Sequence, residues 1–210
     1  MKNKFDAEQI IKELGIEEEI VAIYPYGSRV YLNNNEYSDH DYILVAKNSM
    51  LNSGAFKNNA VSNNDYTIQG TLYSRGGFQD AINKYEMPAM ECLSLAPEQI
   101  LLKKWPFKVQ KWDGKEMVDN VIKLASASRH ISDKQAKTGE FGEFKDRAKR
   151  GMYHALRILM FGEQLKEHQK IVDFTTSNDL HARMMAIDDD DFDTRDWYEL
   201  FDELAAKLKS

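Results

Sequence analysis

The sequence predicts an α+β chain in which a short mixed sheet with flanking helices is followed by a helical second half. Three observations carry this. Apolar, β-branched and aromatic runs bounded by turn residues recur at IVAIYPY, DYILVA and DYTIQGTLYS, all before residue 75. The four prolines lie at 25, 88, 97 and 106, and the chain beyond them reads as helix. With 210 residues, 42% hydrophobic and 30% charged, the chain can bury a core, and it is neither a disordered tail nor a fibrous repeat.

Residues 6–15 form an amphipathic helix, with Ile10, Ile11 and Leu14 on its apolar side and Gly15 as its stop. IVAIYPYGS is a strand running into a tight turn at Gly27, and DYILVA, 41–46, is the second strand. The Asn- and Ser-rich stretch 48–64 is expected to be a loop or irregular hairpin tip. The third strand covers 65–74, a helix covers 78–85, and MECLSL, 90–95, reads as a strand or short buried segment. The change in character near 106–115 sets the expected boundary between a domain at 1–106 and a helical subdomain at 107–210, whose last helix spans about 195–208. No run approaches the roughly 18–20 apolar residues of a membrane span. The N-terminus lacks the apolar core of a secretory signal, and the single cysteine, Cys92, excludes an internal disulfide or multi-cysteine metal site. A reducing cytoplasm is the expected setting.

The segment GSRVYLNNNEYSDHDYILV carries the chemistry. Gly27 and Ser28 end one strand, ten residues intervene, and Asp39 and Asp41 then stand two apart where the next strand begins. Side chains at i and i+2 of a strand share a face, so both carboxylates point one way and His40 points the other. Paired hard oxygens suit Mg²⁺, which takes few protein ligands and completes its shell with water and phosphate. Two such ions can clamp the attacking and leaving oxygens of a phosphoryl displacement. Gly27 lets backbone approach a phosphate, and Ser28 can donate a hydroxyl to it.

This strand–GS–spacer–DHD–strand pattern resembles the nucleotidyltransferase core shared by DNA polymerase β and kanamycin nucleotidyltransferase. The stretches TIQGTLYSRGGFQDAINKYEMPAMECLSLAP and SDKQAKTGEF…KRGMYHALRILMFGEQLKEHQKIVDF resemble a subgroup of predicted nucleotidyltransferases common in bacteria and phages. The resemblance implies transfer of a nucleoside monophosphate from an NTP, ATP among them, to an acceptor hydroxyl with release of pyrophosphate. It implies Mg²⁺, held as a two-ion site by Asp39 and Asp41. It also places Lys134, Lys137, His154 and Arg157 of a helical cap near the nucleotide. Gly27, Ser28, Arg29 and Ser38, with Arg150 of the cap, are the further expected nucleotide contacts.

The resemblance also calls for a third carboxylate on the third strand, where family spacing selects Gln69. Asp65 is the carboxylate of that strand, four residues earlier and about 13 Å away along an ideal strand. The reading favours Asp65 as the catalytic third acid, with Gln69 and Glu91 as the other occupants of that position.

Charge is segregated. Residues 103–170 hold 16 Lys or Arg against 9 Asp or Glu, and the rest hold 12 against 25. Arg147, Arg150, His154 and Arg157, spaced three, four and three, cover about 80° of one helix as a basic stripe suited to phosphate. This tilts the acceptor toward an RNA end over a protein hydroxyl or small molecule. Two other readings stay open. One is an NTP- or RNA-binding descendant that has lost catalysis, motivated by Gln69. The other is a HEPN-type ribonuclease acting through Arg147 and His154. The tryptophans at 105, 112 and 197 read as packing residues, although Trp105 and Trp112 lie among lysines that would suit base stacking. The aspartate run 188–191 reads as a solvated turn.

Overall fold

A computed structural model describes residues 4–48, 56–62, 66–138 and 142–210. The chain divides into two compact units, Met1–Trp112 and Asp113–Ser210.

The first unit is built on a mixed sheet of five strands among the described residues, in the order β3-β4-β2-β1-β5. These are β1, Ile20–Tyr26; β2, His40–Ala46; β3, Phe56–Ser62; β4, Thr67–Ser74; and β5, Leu102–Lys103. Central β2 runs antiparallel to β1 and parallel to β4. Helix α1, Ala7–Glu13, starts with a reciprocal capping box between Asp6 and Gln9. Its Ile10 and Leu14 bury against Ile23, Tyr42, Leu44, Ile68 and Leu72, which line one face of the sheet. The other face carries Tyr24, stacked on Phe78 at 5.6 Å, with Phe107 edge-on to Phe78 at 5.0 Å. Phe78 belongs to α3, Arg75–Asn83, whose N-cap Ser74 accepts a hydrogen bond from the Gly77 amide at 3.0 Å. Between β1 and β2 lies α2, a single turn at Ser28–Tyr31.

Two local expectations are refined and one strand is added. The polar stretch expected to be loop contains β3, paired antiparallel with β4 in full register. It forms a sheet edge, where one side of the strand needs no apolar cover. The 90–95 segment is buried but helical, as part of α4, Met87–Ser94. Pro88 fits the first turn of a helix, and Ala, Met, Glu and Leu prefer that state. The short edge strand β5 was not expected, and it pairs with β1 at Ala22 and Ile23.

The second unit is helical: α5, Gly114–Thr138; α6, Gly142–His168; α7, Asn178–Met185; and α8, Tyr198–Lys209. Helices α5 and α6 approach closely because small residues meet there. A Cβ on Gly162 would fall 2.5 Å from Val121 Cγ1, and Ser132 Oγ donates to the Ala148 carbonyl at 2.6 Å. The aspartate run is more than a solvated turn, since Asp189 pairs with the buried Lys149 at 2.6 Å.

Candidate functional site

The end of β1 and the start of β2 are fitted to each other through one glycine. Gly27 has φ +76°, which L-residues rarely adopt, and a Cβ there would lie 2.2 Å from Asp41 Oδ2. The carboxylate of Asp41 therefore occupies the space that a side chain at position 27 would fill. Ser28 follows as the first residue of α2.

Asp41 lies between two register partners, Tyr26 on β1 and Gln69 on β4. Gln69 Nε2 also donates to Asp39 Oδ2 at 2.7 Å. One amide thus spans the pair: it neighbours Asp41 across the sheet and bonds Asp39, so the two carboxylates converge. Burial, and then the charge of Asp39, push the Asp41 carboxyl up to about 6, with Arg29 opposing. His40 points to the other face, where its ring meets Phe5 edge-on at 5.0 Å. Burial, then Arg29 and Lys4, lower its pKa to about 4, so the imidazole is neutral near pH 7.

Other predicted contacts have different local duties. Arg29 donates through Nε to the Asp39 carbonyl at 3.0 Å and through Nη2 to the Ser38 carbonyl at 2.5 Å. Through those donors it braces the backbone that delivers Asp39. The Ser38 hydroxyl accepts from the Asn35 amide at 2.9 Å and lies 3.2 Å from Asn35 Oδ1, which ties it into the preceding turn. Glu91 is 2% exposed and accepts from the Tyr31 hydroxyl at 2.5 Å, linking α4 to α2. Asp65 lies outside the described residues. Along β4, Gln69 is thus the side chain seen beside the pair.

A concavity of about 340 Å³ opens at this place, lined by Asp41 and Gln69 together with Tyr26, Asn59 and Thr71. Sequence reasoning missed the last three. Tyr26 was within reach, because it precedes Gly27 and pairs with Asp41, whereas Asn59 sits on the strand that was read as loop.

The residues fit a hard divalent cation. The pair supplies carboxylate oxygens, and burial first, then the charge of Asp39, raise the Asp41 carboxyl; a dication would offset the charge that both disfavour. Among the described residues, no group of three or more carboxylate, imidazole or thiol side chains is assembled to hold a metal. The described donors are therefore two carboxylates and an amide.

In the helical unit the basic stripe of α6 divides. Arg147 and Arg150 are exposed, and Arg150 pairs with Asp146 at 2.8 Å. Arg157 is only 7% exposed, and its Nη2 meets His154 Nδ1 at 2.8 Å. Burial, then Arg157, lower the His154 pKa to about 3. The four groups do not form one solvent-facing stripe, because the last two turn inward where Tyr153 and Phe161 flank Arg157 at 5.5 and 5.8 Å. Lys134 and Lys137 are exposed near the end of α5.

No protein-family model and no curated protein sequence matches the chain. Among solved structures, the chain is similar to a nucleotidyltransferase-like protein from Exiguobacterium sibiricum. The identity is 12% and the TM-score 0.38, over 96% of this chain and 72% of that one.

Proposed function

We propose that the chain is a Mg²⁺-dependent nucleotidyltransferase that moves a nucleoside monophosphate from an NTP to an acceptor hydroxyl. The observation that carries this reading is the fit of Gly27 against Asp41, where a Cβ would lie 2.2 Å from the carboxylate. It makes the glycine–serine turn and the carboxylate pair one built unit, which two unrelated sequence coincidences would not produce.

In this reading Asp39 and Asp41 hold the metal, and Ser28 donates its hydroxyl to a phosphate of the donor. Mg²⁺ held by these residues would supply charge neutralisation and Lewis-acid assistance to the phosphates. The acceptor oxygen forms a bond to the α-phosphorus while the bond to pyrophosphate breaks, and the acceptor's proton must pass to a base. Gln69 cannot take that proton, because an amide lacks the basicity of a carboxylate. Arg29 is a positioning residue that fixes the backbone of Ser38 and Asp39. The basic content of 103–170 favours RNA as acceptor.

A second reading, an NTP- or RNA-binding descendant without turnover, is favoured by the hydrogen bond from Gln69 to Asp39. Incubation with each α-³²P-labelled NTP, Mg²⁺ and total RNA or protein separates the two. Transfer of label to a macromolecule supports the enzyme. Retention of NTP without label transfer supports the binding protein.

A further inference from the structure

The segment 101–112, LLKKWPFKVQKW, contains four lysines, and the chain carries no Asp or Glu between Glu98 and Asp113. After β5 it has no regular structure, yet it is pinned in place. Phe107 is buried against Phe78. Gln79 Nε2 donates to the Lys108 carbonyl at 2.8 Å, and the Tyr85 hydroxyl donates to the Lys111 carbonyl at 3.0 Å. Trp112 meets Tyr85 edge-on at 5.2 Å.

These anchors use backbone carbonyls and two aromatic rings, which leaves Lys103, Lys104, Lys108 and Lys111 exposed. Among the described residues, none of the four makes an ion pair. Trp105 is 40% exposed in their midst, with the Arg75 guanidinium 4.3 Å from its ring centre. Trp112 is thus a packing residue, and Trp105 is not.

We propose that this ribbon is a docking surface for single-stranded nucleic acid, with Trp105 stacking on a base and the lysines meeting phosphates. The proposal goes beyond the transferase reading and does not rest on it, since it involves neither Asp39 nor Asp41. A single strand fits better than a duplex, because a base offers its face to an aromatic ring only when unstacked. An anionic membrane fits less well, because one exposed ring on an irregular ribbon lacks the apolar face of an interfacial helix.

The test is fluorescence anisotropy of the full chain with fluorescein-labelled 12-nucleotide oligouridylate and oligothymidylate, without NTP or metal. Four engaged phosphates on a single strand lower log K by about 2.8 per decade of salt, or about 50-fold between ~50 and ~200 mM. Loss of the stacked ring in Trp105→Ala should weaken binding by about ten- to a hundredfold, and Trp105→Phe should largely restore it. The double substitution Lys104→Glu, Lys108→Glu touches only exposed side chains, and it should weaken binding and flatten the salt slope without lowering the melting temperature. The two oligonucleotides distinguish RNA from DNA as the natural strand. Salt-independent binding would overturn the proposal. So would Trp105→Ala and the double variant binding within twofold of wild type, or equally tight binding of a duplex, polyglutamate or anionic phosphatidylserine vesicles.

Discussion

Gly27, Asp41 and Gln69 each have a duty that a single substitution can expose. Gly27→Ala would place a Cβ 2.2 Å from Asp41 Oδ2 on a backbone with φ +76°. It should cost about 2–3 kcal/mol in urea unfolding, from strain and displacement of the carboxylate. The Asp41 carboxyl, pushed up to about 6 from 3.8, binds its proton more tightly in the folded chain. That contribution to stability is complete below pH ~4 and is lost as pH rises through ~6. In metal-free buffer, Asp41→Asn should therefore melt higher than wild type at pH 7.5, by an equivalent of about 1–3 kcal/mol, and match it near pH 4. A constant difference across that range would remove this account of Asp41. Gln69→Glu replaces a donor to Asp39 with a third charge. It should lower metal-free stability by about 1–2 kcal/mol and raise Mg²⁺-dependent turnover, up to about 10²-fold if general-base assistance is restored. Asp65→Asn, assayed beside it, reports whether the acid favoured by the sequence serves the site.

At the scale of elements, legibility followed how much of each strand or helix is dictated locally. Strands β1, β2 and β4 and helices α1 and α3 were readable because apolar periodicity and turn residues agree there. Strand β3, FKNNAVS, was not, because four of its seven residues are polar and show no apolar alternation, and the strand is recognised only by its pairing with β4. For α4 the sequence reads only as a strand or short buried segment, because a short buried apolar run has no period to distinguish helix from strand. The basic stripe of α6 shows the same limit: spacing fixed the angles of Arg157 and His154, but not that Arg157 turns in between Tyr153 and Phe161 and meets His154 there. The α5–α6 contact gives a direct check. Gly162→Ala inserts a methyl 2.5 Å from Val121 Cγ1, and it should cost about 1–3 kcal/mol in chemical denaturation. A neutral effect would mean that the helices separate freely at that point.

For the whole molecule, strand-like runs before residue 75 and the absence of proline after 106 pointed to a sheet-bearing part and a helical part with a boundary at 106/107, and the chain divides into compact units at 112/113. Charge segregation was equally legible, with the basic excess beginning at the ribbon that carries Trp105. Among the candidate site residues, Gly27, Ser28, Asp39 and Asp41 were named from their spacing, and Gln69 from the family resemblance. The roles of Arg29 and Ser38 were not, because sequence does not say which way a guanidinium or hydroxyl turns. The central claim is that Asp39 and Asp41 serve phosphoryl transfer. It is tested most directly by pyrophosphate release from NTP with Mg²⁺ and total RNA, measured side by side for wild type, Asp39→Asn and Asp41→Asn. The account predicts release by wild type and a loss of at least about 10³-fold in both variants, each still folded by circular dichroism, since each removes a negative ligand from the metal. Release by either variant at a rate near wild type would contradict it.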